Sequence, residues 1–102
     1  MDKVLLVVRS KAQPGARDRV RLLFEEHLAP RALANDAQEV VIWATDAADP
    51  DAFYLVEVYR DRASMEANSQ APWFWEYLSA AGPHLDGQPE VLSAAPAWSK
   101  GI

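Results

Sequence analysis

The chain has no cysteine among its 102 residues, so disulfides, thiolate nucleophiles and thiolate-held iron–sulfur clusters are excluded. Glycine is scarce, at four residues, and none belongs to the spaced run that cradles a phosphate. No serine stands in a nucleophile elbow. Histidine occurs only at His27 and His84, and with the scattered carboxylates these show no metal-ligand spacing. Positive charge is also short: ten Lys and Arg against fifteen Asp and Glu leave a net charge of −5. No basic stripe exists to displace counterions, which argues against nucleic acid as a partner. Arg17, Arg19 and Arg21 read as the solvated side of a helix. No apolar run approaches a membrane span, and Met1 to Val8 lacks the charged start and cleavage site of a signal peptide. These absences leave a cytoplasmic enzyme or binding protein with neither membrane nor metal in its expected chemistry.

What is present is globular composition, with 50% apolar and 25% charged residues in a length suited to one domain over residues 1–102. Val4 to Val8 is a continuous apolar run of strand length, ended by Arg9, Ser10 and Lys11, with a turn at Gln13-Pro14-Gly15. From Ala16 the period becomes helical: Val20, Leu23, Phe24, His27 and Leu28 share a face, opposite Arg17, Arg21 and Glu25. Pro30 is expected to end or kink that helix near Leu28 or Ala29, leaving Ala32 to Gln38 as a loop with at most one helical turn. Glu39 to Thr45 and Phe53 to Tyr59 read as two strands of an antiparallel hairpin, joined by the polar turn Asp46 to Ala52. Asp61 is placed to N-cap a helix through Ser64, Met65 and Glu66. Pro72 suits a first turn, and Gly82-Pro83 stops the aromatic-rich helix that follows. Pro89 to Ala94 is expected as a short edge strand, and the tail from Ala95 holds in place only if Trp98 docks.

The order strand, helix, strand, strand, helix, strand is a split βαβ: an α+β, ferredoxin-like βαββαβ fold with a four-stranded antiparallel sheet. Two helices cover one face of such a sheet, yet the strands are apolar on both. Val4, Leu6 and Val8 alternate with Leu5 and Val7, and Val41 and Trp43 with Val40 and Ile42. An antiparallel sheet with one wet face would carry polar residues at every second position. Each exposed Val, Leu or Ile forfeits about 1.5–3 kcal/mol of burial. A homodimer closing two sheets face to face, in a barrel-like core, is the expected remedy.

The runs FYLVEVYRD (Phe53 to Asp61), ASMEA (Ala63 to Ala67) and APWF (Ala71 to Phe74) resemble the antibiotic biosynthesis monooxygenase (ABM) superfamily. The resemblance is clearest from Phe53 to Leu78, and the order of elements extends it over most of the chain. It implies the dimeric α+β barrel, with a pocket between sheet and helices. It also implies one of several activities: cofactor-free oxygenation of quinols or polyketide phenols, haem degradation, or isomerisation or binding of small molecules. This chain departs from each pattern. Asn68 and Trp73 stand where many relatives carry His. Val8, Asn68 and Leu78 occupy the slots of the haem-degrading members' Asn, Trp and His, and Leu55 and Tyr59 replace the polyketide oxygenases' Asn and Trp.

Each candidate residue has a functional and a plainer reading. Glu57, the lone charge in an apolar strand, is a candidate base whose burial would raise its pKa; the plainer reading is an ion pair with an Arg. His27, the other candidate base, lies on an apolar helix face and reads equally as a core histidine. Asn68 can hydrogen-bond a substrate oxygen or simply break its helix. Trp73 and Tyr77, four apart, can wall a flat ligand, while Phe74 and Leu78 form a second stripe; one stripe is expected on the core and the other on the pocket or dimer seam. Trp43 and Tyr59 are candidate substrate contacts or packing residues, and His84 a loop residue at the pocket mouth. The leading expectation is a cofactor-free monooxygenase of a hydroxylated aromatic. A non-catalytic dimeric binder of a small ligand and an isomerase of a small carbonyl compound are the alternatives.

Overall fold

In a computed structural model describing residues 2–102, strands β1 (Val4–Lys11), β2 (Gln38–Thr45), β3 (Ala52–Tyr59) and β4 (Glu90–Ala94) form one antiparallel sheet in the order β2-β3-β1-β4. This is the expected α+β, ferredoxin-like arrangement, with each crossover divided into two helices: α1 (Arg17–His27) and α2 (Ala29–Ala34), then α3 (Arg62–Ser69) and α4 (Pro72–Ala81). Asp61 caps α3 as its position implies, its carboxylate accepting from the Ser64 N–H at 2.8 Å.

The register sorts the strand residues by face. Leu6, Val8 and Ser10 pair with Glu57, Leu55 and Phe53, and Val41 and Trp43 with the same Glu57 and Leu55. These point to the helices, where Phe53 joins Val20, Leu23, Phe24, Tyr77 and Ala81 in the core. Trp43 lies among them, stacked on Phe53 with centroids 4.2 Å apart and tilted against Phe24 at 5.4 Å. On the other face lie Leu5, Val7, Ile42, Val56, Val58 and Leu92. Ile42 is 50% exposed and Leu92 68%, so much of this apolar surface is open to water in the single chain.

Two expectations, on the end of β1 and on Arg17, are corrected. β1 does not end after Val8 but runs to Lys11, because its polar end finds partners: Arg9 Nε donates to the Tyr54 hydroxyl at 3.3 Å and Lys11 reaches Asp49 at 3.2 Å. The break near Leu28 is where Pro30 implied it, with α1 ending at His27; the proline's fixed φ also suits the first turn of α2, and Ala32 to Ala34 supply the one helical turn allowed for in the loop. Arg17 is no merely solvated residue. Its Nη1 donates to the carbonyls of Asp49 and Ala52, at 3.0 and 3.1 Å, and ties α1 to the β2–β3 turn. Trp98 does not dock within the chain; it is 84% exposed.

Candidate active site

Two cavities open between the sheet and the helices. The larger, about 190 Å³, is walled by sheet residues such as Leu6, Val8 and Leu55 and by Met65, Phe74 and Tyr77 from α3 and α4. The smaller, about 40 Å³, lies toward α2 and is bordered by Leu28, Arg31, Gln38 and Trp73. Leu55, Glu57, Asn68 and Phe74 border both.

The polar residues form one connected network. Glu57 Oε1 accepts from the Tyr59 hydroxyl at 2.7 Å and from Gln38 Nε2 at 2.8 Å. The Tyr59 oxygen accepts in turn from Asn68 Nδ2 at 2.9 Å and Gln38 Nε2 at 3.0 Å. Trp73 Nε1 donates to Asn68 Oδ1 at 3.5 Å. Glu57 Oε2 takes no hydrogen bond among the described residues, and one Asn68 N–H is likewise unused. Within the single chain Glu57 meets neutral donors and, among the described residues, no arginine. Burial pushes its carboxyl above the ordinary value of 4.5, against the pull of the two hydrogen bonds. Tyr59 is held protonated, its pKa raised by burial and by the Glu57 charge beside it. Its one proton is committed to Glu57, so it orders the carboxylate and has none to offer a ligand. Burial also pushes the Tyr77 hydroxyl up to about 12. That hydroxyl makes no hydrogen bond among the described residues, although the ring is buried on the larger cavity's wall.

The structure brings Glu57, Asn68, Tyr59, Trp73 and Tyr77 around these cavities and leaves three other candidates outside their walls. His27 ends α1 with Nε2 3.5 Å from Glu26 Oε2 and lines neither cavity. Trp43 is core, as its stacking shows. His84 closes a short 3₁₀ turn whose carbonyl accepts from the Gln13 N–H at 2.7 Å, and it lines neither cavity. The two stripes of α4 do not separate into one on the core and one on the pocket or dimer seam: Trp73, Phe74, Tyr77 and Leu78 all border a cavity, Tyr77 is also core, and Trp75 is 57% exposed.

Gln38 was not foreseen. A bulge between Gln38 and Val40 inserts an extra residue, so Gln38 pairs with Tyr59 on the helix side while Val40 faces the other way with Val58. Strict alternation from Val40 would have placed Gln38 on the opposite face, and no turn residue marks the slip. Arg31 was missed with the helix that carries it.

The family model for antibiotic biosynthesis monooxygenases matches residues 3–78. No curated protein matches the chain. Among solved structures, a candidate antibiotic biosynthesis monooxygenase of Chloroflexus aurantiacus J-10-fl superposes with a TM-score of 0.84 at 23% identity, over 99% of each chain. A Mycobacterium tuberculosis protein does so at 0.82 and 24% identity, over 99% of this chain and 100% of the other. A conserved protein of Methanosarcina mazei Go1 gives 0.83 at 15% identity, covering 92% of each. At these identities the likeness concerns the fold.

Proposed function

Because the chain belongs to the antibiotic biosynthesis monooxygenase family, we propose that it is a cofactor-independent monooxygenase of a hydroxylated aromatic, such as a quinol or polyketide phenol. The observation that carries this reading is Glu57: a carboxyl between two cavities, pushed upward by burial, with one oxygen held by Tyr59 and Gln38 and the other free. A base whose pKa approaches the working pH is the kind that removes a phenolic proton efficiently. The ring would lie in the larger cavity against Phe74 and Tyr77, with Asn68 donating its unused N–H to the developing phenolate oxygen. Once Glu57 has taken the proton, the electron-rich anion passes one electron to dioxygen, and the resulting pair of radicals combines into a hydroperoxide. Loss of water then leaves a carbonyl where a ring C–H stood. One oxygen atom stays in the product and one departs in water, carrying the proton that Glu57 returns. Orientation and exclusion of solvent are the protein's contribution.

We also infer that two copies close their open sheet faces against each other. Leu5, Val7, Val40, Ile42, Val56 and Leu92 present an apolar surface there that no helix of the same chain relieves. The arrangement would leave the two sites on the outer sides of the paired sheets.

Oxygen uptake with a panel of quinols and anthrone-like phenols tests the activity, alongside tryptophan quenching without oxygen. The expected result is uptake matched by quinone formation for at least one compound that also quenches. Quenching with no uptake across the panel would make the protein a binder and overturn the oxygenase reading.

A further inference from the structure

Arg31 differs in its pairing from the other cation on the cavity walls. Lys11 borders the larger cavity within 3.2 Å of Asp49. Arg31 borders the smaller one and forms neither an ion pair nor a side-chain hydrogen bond among the described residues. Its guanidinium instead lies 4.6 Å over the ring of Trp73, which holds the planar fork in place while leaving its N–H groups unspent. The helix that carries it, α2, has no fully buried residue and meets the core cluster through Ala29, two positions before Arg31. From Arg31, Asn68 and Trp73 the wall continues into an open outer groove, which gives the guanidinium contact with both interior and solvent.

We infer that the substrate is an aromatic acid, its ring in the larger cavity and its carboxylate in the smaller one beneath Arg31. This rests on the oxygenase reading for the ring and adds the acid group. The geometry suits it, because the two cavities meet at Leu55, Glu57, Asn68 and Phe74, so one molecule can span them. The smaller space of about 40 Å³ exceeds the roughly 10–15 Å³ that a cavity needs to hold one water, so it admits a small polar group. A planar guanidinium matches a carboxylate in two parallel hydrogen bonds. Charge gives the second argument. The protein as a whole carries −5 and repels anions at range, so an anionic ligand requires a local cation, and Arg31 is the unpaired one at this site. Glu57 shares the smaller cavity, and an acid group seated there would favour its neutral form further, strengthening it as a base, while Arg31 offsets the repulsion.

The test measures anaerobic binding, by tryptophan quenching, of a dihydroxynaphthoic acid, its methyl ester and the parent naphthalenediol. The intact protein is expected to bind the acid about tenfold or more tightly than the ester, the ratio that one charge-assisted hydrogen-bonded pair supplies. Arg31→Gln is expected to erase that preference while leaving ester binding within about twofold, and Arg31→Lys to keep part of it, because a point charge replaces the fork. Equal binding of acid and ester by the intact protein, a preference that survives in Arg31→Gln, or failure of all three probes to bind would overturn the inference. Oxygen uptake separates it from the reading beneath. Uptake without acid preference leaves the oxygenase standing and removes Arg31. Acid-preferring binding with no uptake for any probe removes the oxygenase and leaves Arg31 assigned.

Discussion

Glu57→Gln is expected to lower kcat on a hydroxylated aromatic by about a hundredfold to ten-thousandfold, the usual contribution of a positioned general base. The substitution keeps shape and one acceptor oxygen, so Tyr59 and Gln38 retain a partner and the fold should survive. KM should change far less than kcat, because the lost proton transfer belongs to the transition state. The pH profile gives an independent sign. A base must be ionised, so the wild-type rate should rise with pH through the Glu57 pKa, at a midpoint above the ordinary 4.5, and the variant should lack that limb. Stability should move oppositely. A carboxyl whose folded pKa is raised favours the folded state below its unfolded pKa, and that advantage is lost as pH rises through the folded value. The variant should therefore gain in Tm relative to wild type as pH climbs across that window. An unchanged kcat, or an acidic limb that persists in the variant, would remove Glu57 from the mechanism.

Val56→Lys should convert a particle of twice 11.3 kDa into one of 11.3 kDa in sedimentation at micromolar concentration. Val56 lies mid-sheet on the open face, between Val7 of β1 and Ile42 of β2. In a lone chain a lysine there extends its ammonium into water at little cost. Between two facing sheets the same charge is buried without a partner, a penalty of several kcal/mol at each of two symmetry-related positions. The dimer dissociation constant should rise by about a thousandfold or more, at about 1.4 kcal/mol per factor of ten. Circular dichroism should show an intact fold in the variant. A wild-type protein already at 11.3 kDa and fully folded would refute the paired-sheet arrangement, as would a variant that keeps the double mass.

The architecture was legible because it rests on period and punctuation. The apolar run Phe53 to Tyr59, the Asp61 cap and the Gly82-Pro83 stop placed their elements within a residue or two. The misreadings of β1 and Arg17 share one cause, since each turned on a partner distant in sequence. Arg9 and Lys11 look like a strand's end until Tyr54 and Asp49 are brought beside them. Arg17 looks solvated until the carbonyls of Asp49 and Ala52 arrive. The site followed the same rule. Glu57 could be singled out because a charge in an apolar strand is locally anomalous, and Asn68 because the family resemblance puts a polar ligand contact at its slot. Gln38 could not, since only a bulge turns it inward, and nothing local to residues 38–40 requires one. His27 drew attention through its chemistry alone, and it lines neither cavity.

The most direct test of the account is the fate of isotopically labelled dioxygen during turnover of a compound that both binds and consumes oxygen. Mass spectrometry of the quinone should show one heavy oxygen atom per molecule, with the second in water, and the yield should fall with kcat in Glu57→Gln. A quinone carrying no label would mean that dioxygen only accepts electrons, and oxygen transfer at the Glu57 site would be contradicted.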